Sequence, residues 1–316
     1  MDSIELFDRF PANPIIQAKD IPVPCQSVCN PAACLVDGET VLLLRVVSAD
    51  NKSNILVARS ADGVGNWRYN SQPLLGPMVG SAWYEEWGAE DPRIVFLPDR
   101  NEYAITYVGS SRQGAGVCIA TTRDFQTVER LGLVIHPYNK DAVLFPRKIG
   151  GRYHLLHRPT AGPLENIWLA DSDNLRDWGG PLCVLEEDDQ PGWDSGKMGA
   201  GPPPIETPQG WLLLFHGVQH EESGWLYRMG LALLDLSDPS KVIARAPSWV
   251  FEPRRPYEMR TGQPGIVFPT GAVVRGDILH LYYGAADSTV AFATAPLARL
   301  VDALESYRVP SPAHSS

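Results

Sequence analysis

The sequence predicts an all-β protein, and within that class a five-bladed β-propeller. Three observations carry the prediction. Glycine and proline number 28 each among 316 residues, which suits a chain with many turns. Long apolar stretches at helical spacing are scarce, whereas short apolar runs bounded by turn residues are frequent. The third observation is a repeat: a polar opener, an apolar run, a tight turn, a second apolar run with aromatics, and a third run often ending in Ser or Asp and Trp. Gly38, Asn101, Gly151, Gly210 and Gly276 mark the turns of five such units, 63, 50, 59 and 66 residues apart. Units of one sheet each at roughly 50 residues are the signature of a propeller, and five units give five blades. A sandwich or jelly roll is the competing arrangement for a chain of short strands.

Residues 1–28 read as an irregular arm, because Pro11, Pro14, Pro22 and Pro24 interrupt any regular element. In the first unit Asn30-Pro31 leads into a run over 32–36, Asp37-Gly38 turns, 41–47 returns and 55–58 closes. In the second, Glu90-Asp91 opens 94–97, with 103–108 and 116–121 behind it. Pro92 biases Asp91 away from the helical region, so Asp91 is expected to open its strand in extended conformation. Lys140-Asp141 opens the third unit, with 142–145, 153–157 and 167–170. Residues 194–201 lead into Ile205 of the fourth, followed by 211–216 and 227–234. Glu258 and Gly265 lead into 266–268 of the fifth, followed by 278–283 and 289–293. Residues 297–304 read as a short helix ahead of a C-terminal tail. No linker divides the chain, so residues 1–316 are expected to form one domain.

Composition narrows the function. The net charge is −10 and the pI about 5.2, which argues against a nucleic-acid partner, since such proteins carry a basic patch. No apolar run reaches the roughly 18 residues of a membrane span. The first residues lack a basic segment followed by an apolar one, so no secretory signal is expected and the protein reads as cytoplasmic. Cys25, Cys29, Cys34, Cys118 and Cys183 are odd in number and lack a second ligand pair at zinc-like spacing; they read as reduced thiols. No Gly-rich phosphate loop precedes a helix, so no nucleotide site is indicated. The oligomeric state is left open, a homo-oligomer included.

In a propeller the innermost strands line a central channel. The unit openers Asn30, Asp91, Lys140-Asp141, Asp194 with Lys197, and Glu258 are therefore expected at one rim. Arg45, His157-Arg158, His216 and Asp287, at the ends of return strands, should meet them there. Such a funnel holds carboxylates, cations and aromatic faces, a mixture suited to sugar hydroxyls and ring faces. Trp83, Tyr84, Trp87 and Trp193 lie in the long loops before the second and fourth units, placed either for packing or for an extra sugar subsite.

Several stretches carry a family resemblance. They are Gly88-Ala89-Glu90-Asp91-Pro92-Arg93, residues 139–146 and 153–159, Trp193-Asp194-Ser195-Gly196-Lys197-Met198-Gly199, residues 215–218 and 227–230, residues 252–258, and Tyr282-Tyr283-Gly284-Ala285-Ala286-Asp287. In them the sequence resembles glycoside hydrolase family 130, the β-mannoside phosphorylases and related mannosidases. The resemblance implies a five-bladed propeller and an inverting phosphorolysis, a glycosyltransferase-type reaction. A β-mannoside and phosphate give α-mannose 1-phosphate and a shortened acceptor. It implies Asp91 as catalytic acid; Lys140, Arg158, Lys197 and His216 as phosphate ligands; and Asn30, Arg45, Asp141, Glu258 and Asp287 as sugar contacts. No metal or cofactor is implied, and phosphate is a co-substrate. Two positions depart from the family pattern. Lys140 stands where Arg is common, a point charge without the bidentate fork, and Arg147 stands where Glu is common.

The chemistry agrees with one acid. An inverting hydrolase needs a second carboxyl to activate water, but phosphate is already an anion near neutral pH. An acid and a cationic pocket suffice, acting through positioning and electrostatics. The acid has to hold its proton, so a raised Asp91 pKa is expected, with Glu90 helping if its charge faces the same way. A β-mannosidase on the same fold and a non-catalytic carbohydrate-binding propeller are the other readings.

Overall fold

The computed structural model describes residues 5–78, 80–187 and 192–308; the first four residues of the arm and the tail over 309–316 lie outside them. The chain is all-β. It opens with β1 (Asp8–Arg9), then lays down β2 (Ser27–Val36), β3 (Glu39–Val47), β4 (Ser53–Ser60) and β5 (Arg68–Tyr69). Next come β6 (Gly88–Leu97), β7 (Glu102–Ser111), β8 (Gly114–Thr122) and β9 (Glu129–Ile135). β10 (Asn139–Leu144), β11 (Tyr153–Pro159), β12 (Ile167–Ser172) and β13 (Gly179–Leu185) form the third group. β14 (Lys197–Ala200), β15 (Ile205–Thr207), β16 (Gly210–Glu221), β17 (Gly224–Leu234) and β18 (Val242–Arg245) form the fourth. β19 (Val267–Arg275), β20 (Ile278–Ala285) and β21 (Thr289–Pro296) complete the strands, and α1 (Leu297–Glu305) follows.

Each group is an antiparallel meander. The first two share one sheet only through a single parallel pair, Ser53 with Gly88. A Cβ on Gly88 would fall 1.9 Å from the Ser53 carbonyl oxygen, so only glycine permits this approach. The other three groups are separate sheets. All five sequence-marked turn residues have positive φ: Gly38 83°, Asn101 49°, Gly151 84°, Gly210 150° and Gly276 63°. That is the backbone a tight turn between twisted strands requires.

Two expectations need correction. The arm is not wholly irregular: β1 pairs with β21 as the fourth strand of the last sheet, with Asp8 opposite Thr294 and Arg9 opposite Ala293. Leu6 and Phe7, buried beside it, hold the arm down. The meanders also carry a fourth strand, not three. These outer strands are half exposed, β9 and β13 most plainly, so they lack the buried alternation that reveals a strand in sequence.

Alternate residues of each strand face opposite sides and fill five apolar clusters between consecutive meanders. Val41, Leu43 and Val57 meet Ile94, Ile105 and Tyr107 of the second group. On the opposite faces, Leu42, Leu44 and Leu56 meet Tyr282, Val290 and Phe292 of the last. The remaining clusters join the second group to the third, the third to the fourth, and the fourth to the fifth. α1 lays Leu300, Val301 and Leu304 on the last of these. No helix among the described residues is long and apolar enough to cross a membrane.

Candidate active site

Three first strands share one device. Asn30 and Pro31 together face Leu44, Asp91 and Pro92 face Tyr107, and Asp141 and Ala142 face His157, so each strand carries a bulge of two residues against one. At the bulge Asn30, Asp91 and Asp141 have φ of 46°, 46° and 52°, a left-handed backbone that Asn and Asp tolerate best. Asp91 therefore does not open its strand in extended conformation. It sits inside β6, and Pro92 falls where the bulge demands no ladder N–H. Each bulge turns a short polar side chain toward the same place.

That place is a cleft of about 340 Å³ lined by Asn30, Arg45, Asp91, Lys140, Asp141, Arg158, Lys197 and Asp287 among the predicted residues. Asn30 Nδ2 and Arg45 Nη1 donate to Asp91 Oδ1 at 2.8 and 2.9 Å. Arg45 also reaches Glu90 at 3.3 Å. Arg158 donates to Asp141 Oδ2 at 2.8 Å and pairs with Glu165. Among the described residues Lys140 touches a carboxylate only at 3.9 Å, on Glu90. Lys197 lies 5.4 Å from the Tyr227 ring centre and 4.9 Å from that of Trp225. Among the described residues it meets no carboxylate within ion-pair distance.

Burial raises the Asp91 pKa, but Arg45, Arg93, the Asn30 hydrogen bond and Lys140 outweigh it and hold the carboxyl below its ordinary value. The expected elevation is thus absent from the free cleft, because Glu90 is occupied by Arg45 and Lys140 while two guanidinium groups face Asp91. Asp141 likewise stays ionised: burial opposes the charge, and Arg158, His216 and Arg93 overcome that. Asp287 is the exception. Burial raises it, Arg260 and Arg45 pull it down, Asp91 adds to the rise, and the net is upward. Lys197 is lowered by burial and by Arg158.

Two predicted residues stand elsewhere. Glu258 is fully buried and its carboxylate is spent on structure: Arg9 Nε donates at 2.8 Å, Tyr283 Oη at 2.7 Å and the Arg254 amide at 2.7 Å. It does not line the cleft. His216 lies behind Asp141, its Nε2 at 3.4 Å from Oδ2, with no exposed surface. Burial pushes its pKa down to about 3, against the pull of Asp141, so it is a neutral imidazole and not a cation. Gly199 makes the room it needs, since a Cβ there would lie 2.4 Å from His216 Cε1 and 2.3 Å from Asp141 Oδ2.

Sequence reasoning passed over Thr160, Glu165, Tyr227 and Phe268 as cleft lining, and Arg93 as its foundation. Arg93 is buried, donating to the Asp91, Ala200 and Gly201 carbonyls at 2.8, 3.0 and 3.2 Å. Its place beside Asp91 in the Asp-Pro-Arg run was the available signal. Asp194 is held by Arg245 at 2.7 Å. Arg147 pairs with Glu206 at 2.6 and 2.8 Å, away from the cleft. Trp193 packs on Phe215 and Trp249, whereas Trp83 and Trp87 are exposed.

Carboxylates and cations interleaved around one cleft, with aromatic rings in its wall and an all-β frame beneath, define a carbohydrate-active enzyme. A family model described as beta-1,4-mannooligosaccharide phosphorylase matches residues 4–306. The chain belongs to that family, glycoside hydrolase family 130. It is 38% identical over 256 residues to a beta-1,2-mannobiose phosphorylase of Listeria innocua, covering 80% of this chain and 69% of that one. It is 30% identical to a beta-1,4-mannooligosaccharide phosphorylase of Ruminococcus albus, covering 97% and 93%. A solved structure of beta-1,2-mannobiose phosphorylase from Listeria innocua, in complex with beta-1,2-mannobiose, superposes with a TM-score of 0.85 at 30% identity, covering 95% of this chain and 99% of that chain.

Proposed function

We propose that this protein is an inverting β-mannoside phosphorylase, converting a β-mannoside and phosphate into α-mannose 1-phosphate and a shortened acceptor. The observation that carries the reading is the cleft itself: Asp91, anchored by Asn30 and Arg45, lines it together with Lys140 and Lys197, neither of which is in a close ion pair among the described residues. The five meanders are the blades of one propeller domain. The cluster joining the last meander to the first supports this.

Phosphate binds at Lys140, Arg158 and Lys197, and neutral His216 packs behind Asp141, its Nε2 3.4 Å from Oδ2. Asn30, Arg45, Asp141 and Asp287 take sugar hydroxyls. A phosphate oxygen attacks C1 from the face opposite the acceptor, the C1–oxygen bond breaks, and a proton from Asp91 goes to the departing oxygen. Bound phosphate engages the cations and adds negative charge, and the sugar displaces water. Both raise the Asp91 pKa from its low value in the free cleft. No metal or organic cofactor enters the reaction. Cytoplasmic use fits a product that is already phosphorylated.

The test is product formation from β-1,2- and β-1,4-mannobiose with and without phosphate. Phosphate-dependent α-mannose 1-phosphate is expected. Free mannose released equally in phosphate-free buffer would identify a hydrolase instead.

A further inference from the structure

Arg158 already carries two carboxylates. It is buried; its Nε and Nη2 reach Asp141 Oδ2 at 2.8 and 2.7 Å, and its Nη1 pairs with Glu165. A guanidinium has one positive charge to share, so two carboxylates leave none over for a further anion. The cleft as a whole is balanced in the same way. Among the described residues that line it, Asp91, Asp141, Glu165 and Asp287 face an equal number of cationic side chains. Phosphate, with up to two negative charges, enters such a site at a cost unless a carboxylate takes a proton or withdraws. Asp91 does the first in the mechanism above, which leaves the second charge to be accommodated.

Glu165 is the carboxylate placed to withdraw. The Asp141 side chain is only 2% exposed, with Arg93 and His216 against it. Asp287 pairs with Arg260, which is not a proposed phosphate ligand. The Glu165 side chain, by contrast, is 25% exposed, and Arg158 is its one ion-pair partner among the described residues. It stands on the connection between β11 and β12, where the backbone is fixed. The Met198 amide donates to the Glu165 carbonyl at 2.9 Å, and the neighbouring Asn166 side chain accepts the Glu187 amide at 3.1 Å. Rotation about the side-chain bonds of Glu165 therefore frees Arg158 without any movement of the main chain.

We propose that Glu165 is an internal competitor for phosphate: its carboxylate neutralises Arg158 until phosphate binds, then swings toward solvent, and so sets the phosphate affinity. The inference rests on the phosphorylase reading above. The experiment measures the Kd for inorganic phosphate by titration calorimetry and the KM for phosphate in phosphorolysis. Wild type, Glu165→Gln and Glu165→Ala are compared. Each variant removes the competing charge, so both constants fall, on the order of threefold to tenfold. A residue that only bound phosphate or positioned Arg158 would give the opposite sign. A constant unchanged or raised in either variant overturns the competitor. Thermal unfolding supplies a second readout on the same proteins. In phosphate-free buffer the variants melt below wild type, because Arg158 has lost a counter-charge, and added phosphate raises their Tm by more than it raises that of wild type. An equal or smaller rise overturns the competitor. Absence of phosphate-dependent product from the wild type sinks the phosphorylase reading instead, and calorimetry with inorganic phosphate then decides the competitor alone. Phosphate that binds neither wild type nor variant overturns both.

Discussion

The Arg45 guanidinium donates to Asp91 Oδ1 at 2.9 Å, and this contact sets the protonation of the proposed acid. It stabilises the carboxylate and lowers the Asp91 pKa. An acid must be protonated to act, so activity falls as pH rises through its pKa. Arg45→Met raises that pKa, and the basic limb of the kcat/KM profile moves to higher pH even as the maximum drops. An unmoved limb would mean that Asp91 is not the titrating acid.

Asp91→Asn keeps the size of the side chain but has no proton to deliver. Turnover falls about a thousandfold, within the usual range for a lost general acid. Phosphate affinity, read by titration calorimetry, stays within a few-fold because Lys140, Arg158 and Lys197 are untouched. Full activity in this variant would remove Asp91 from the mechanism.

Lys197→Met addresses the proposed phosphate ligands. The ammonium lies over Tyr227 and Trp225 and has no carboxylate within ion-pair distance among the described residues, so its removal breaks no ion pair. The KM for phosphate rises about tenfold or more, as expected for a lost charge-assisted contact, while the KM for the mannoside changes little. A selective rise for the mannoside would place phosphate elsewhere.

How far the sequence foretold this arrangement depends on whether the determining contact is local. Gly38, Asn101 and Gly276 announce their turns because positive φ is a property of the residue itself. The bulges at Asn30, Asp91 and Asp141 are invisible in the same way that a register shift is: they exist only against Leu44, Tyr107 and His157 on the neighbouring strand. Strands β9 and β13 escaped because half-exposed edges carry little periodicity. Glu258 was misplaced for a tertiary reason, its partner Arg9 being 249 residues away. His216 was placed with the cations because sequence shows a titratable ring but not the burial that keeps it neutral.

The placement of Glu258 has a direct consequence for stability. It ties Arg9 of β1 to Tyr283 of β20, and so fastens the arm to the last sheet. Glu258→Gln removes the charge on one side of a buried pair and leaves Arg9 under-compensated. A loss of about 3 kcal/mol is expected from denaturant unfolding, with kcat/KM of the folded protein nearly unchanged. A variant of wild-type stability with a raised mannoside KM would return Glu258 to the sugar site.

Acid sensitivity follows from the buried histidines. His216 is pushed down to about 3 and His157 to about 4 by burial, whereas an unfolded chain titrates histidine near 6.5. Between those values the unfolded state binds more protons than the native state, so stability rises with pH across this window and falls as pH drops below about 6.5. The native carboxylate of Asp141, with its depressed pKa, contributes stability above the unfolded value near 3.9 and loses it only below that pH. The decline between pH 6.5 and 4 therefore belongs mainly to the histidines. Urea midpoints at pH 7, 5.5 and 4.5 should fall in that order, and the slope should flatten in His216→Asn even if its midpoint at pH 7 is lower. An equal slope in wild type and variant would show that His216 titrates normally, which its complete enclosure behind Asp141 and Gly199 does not permit.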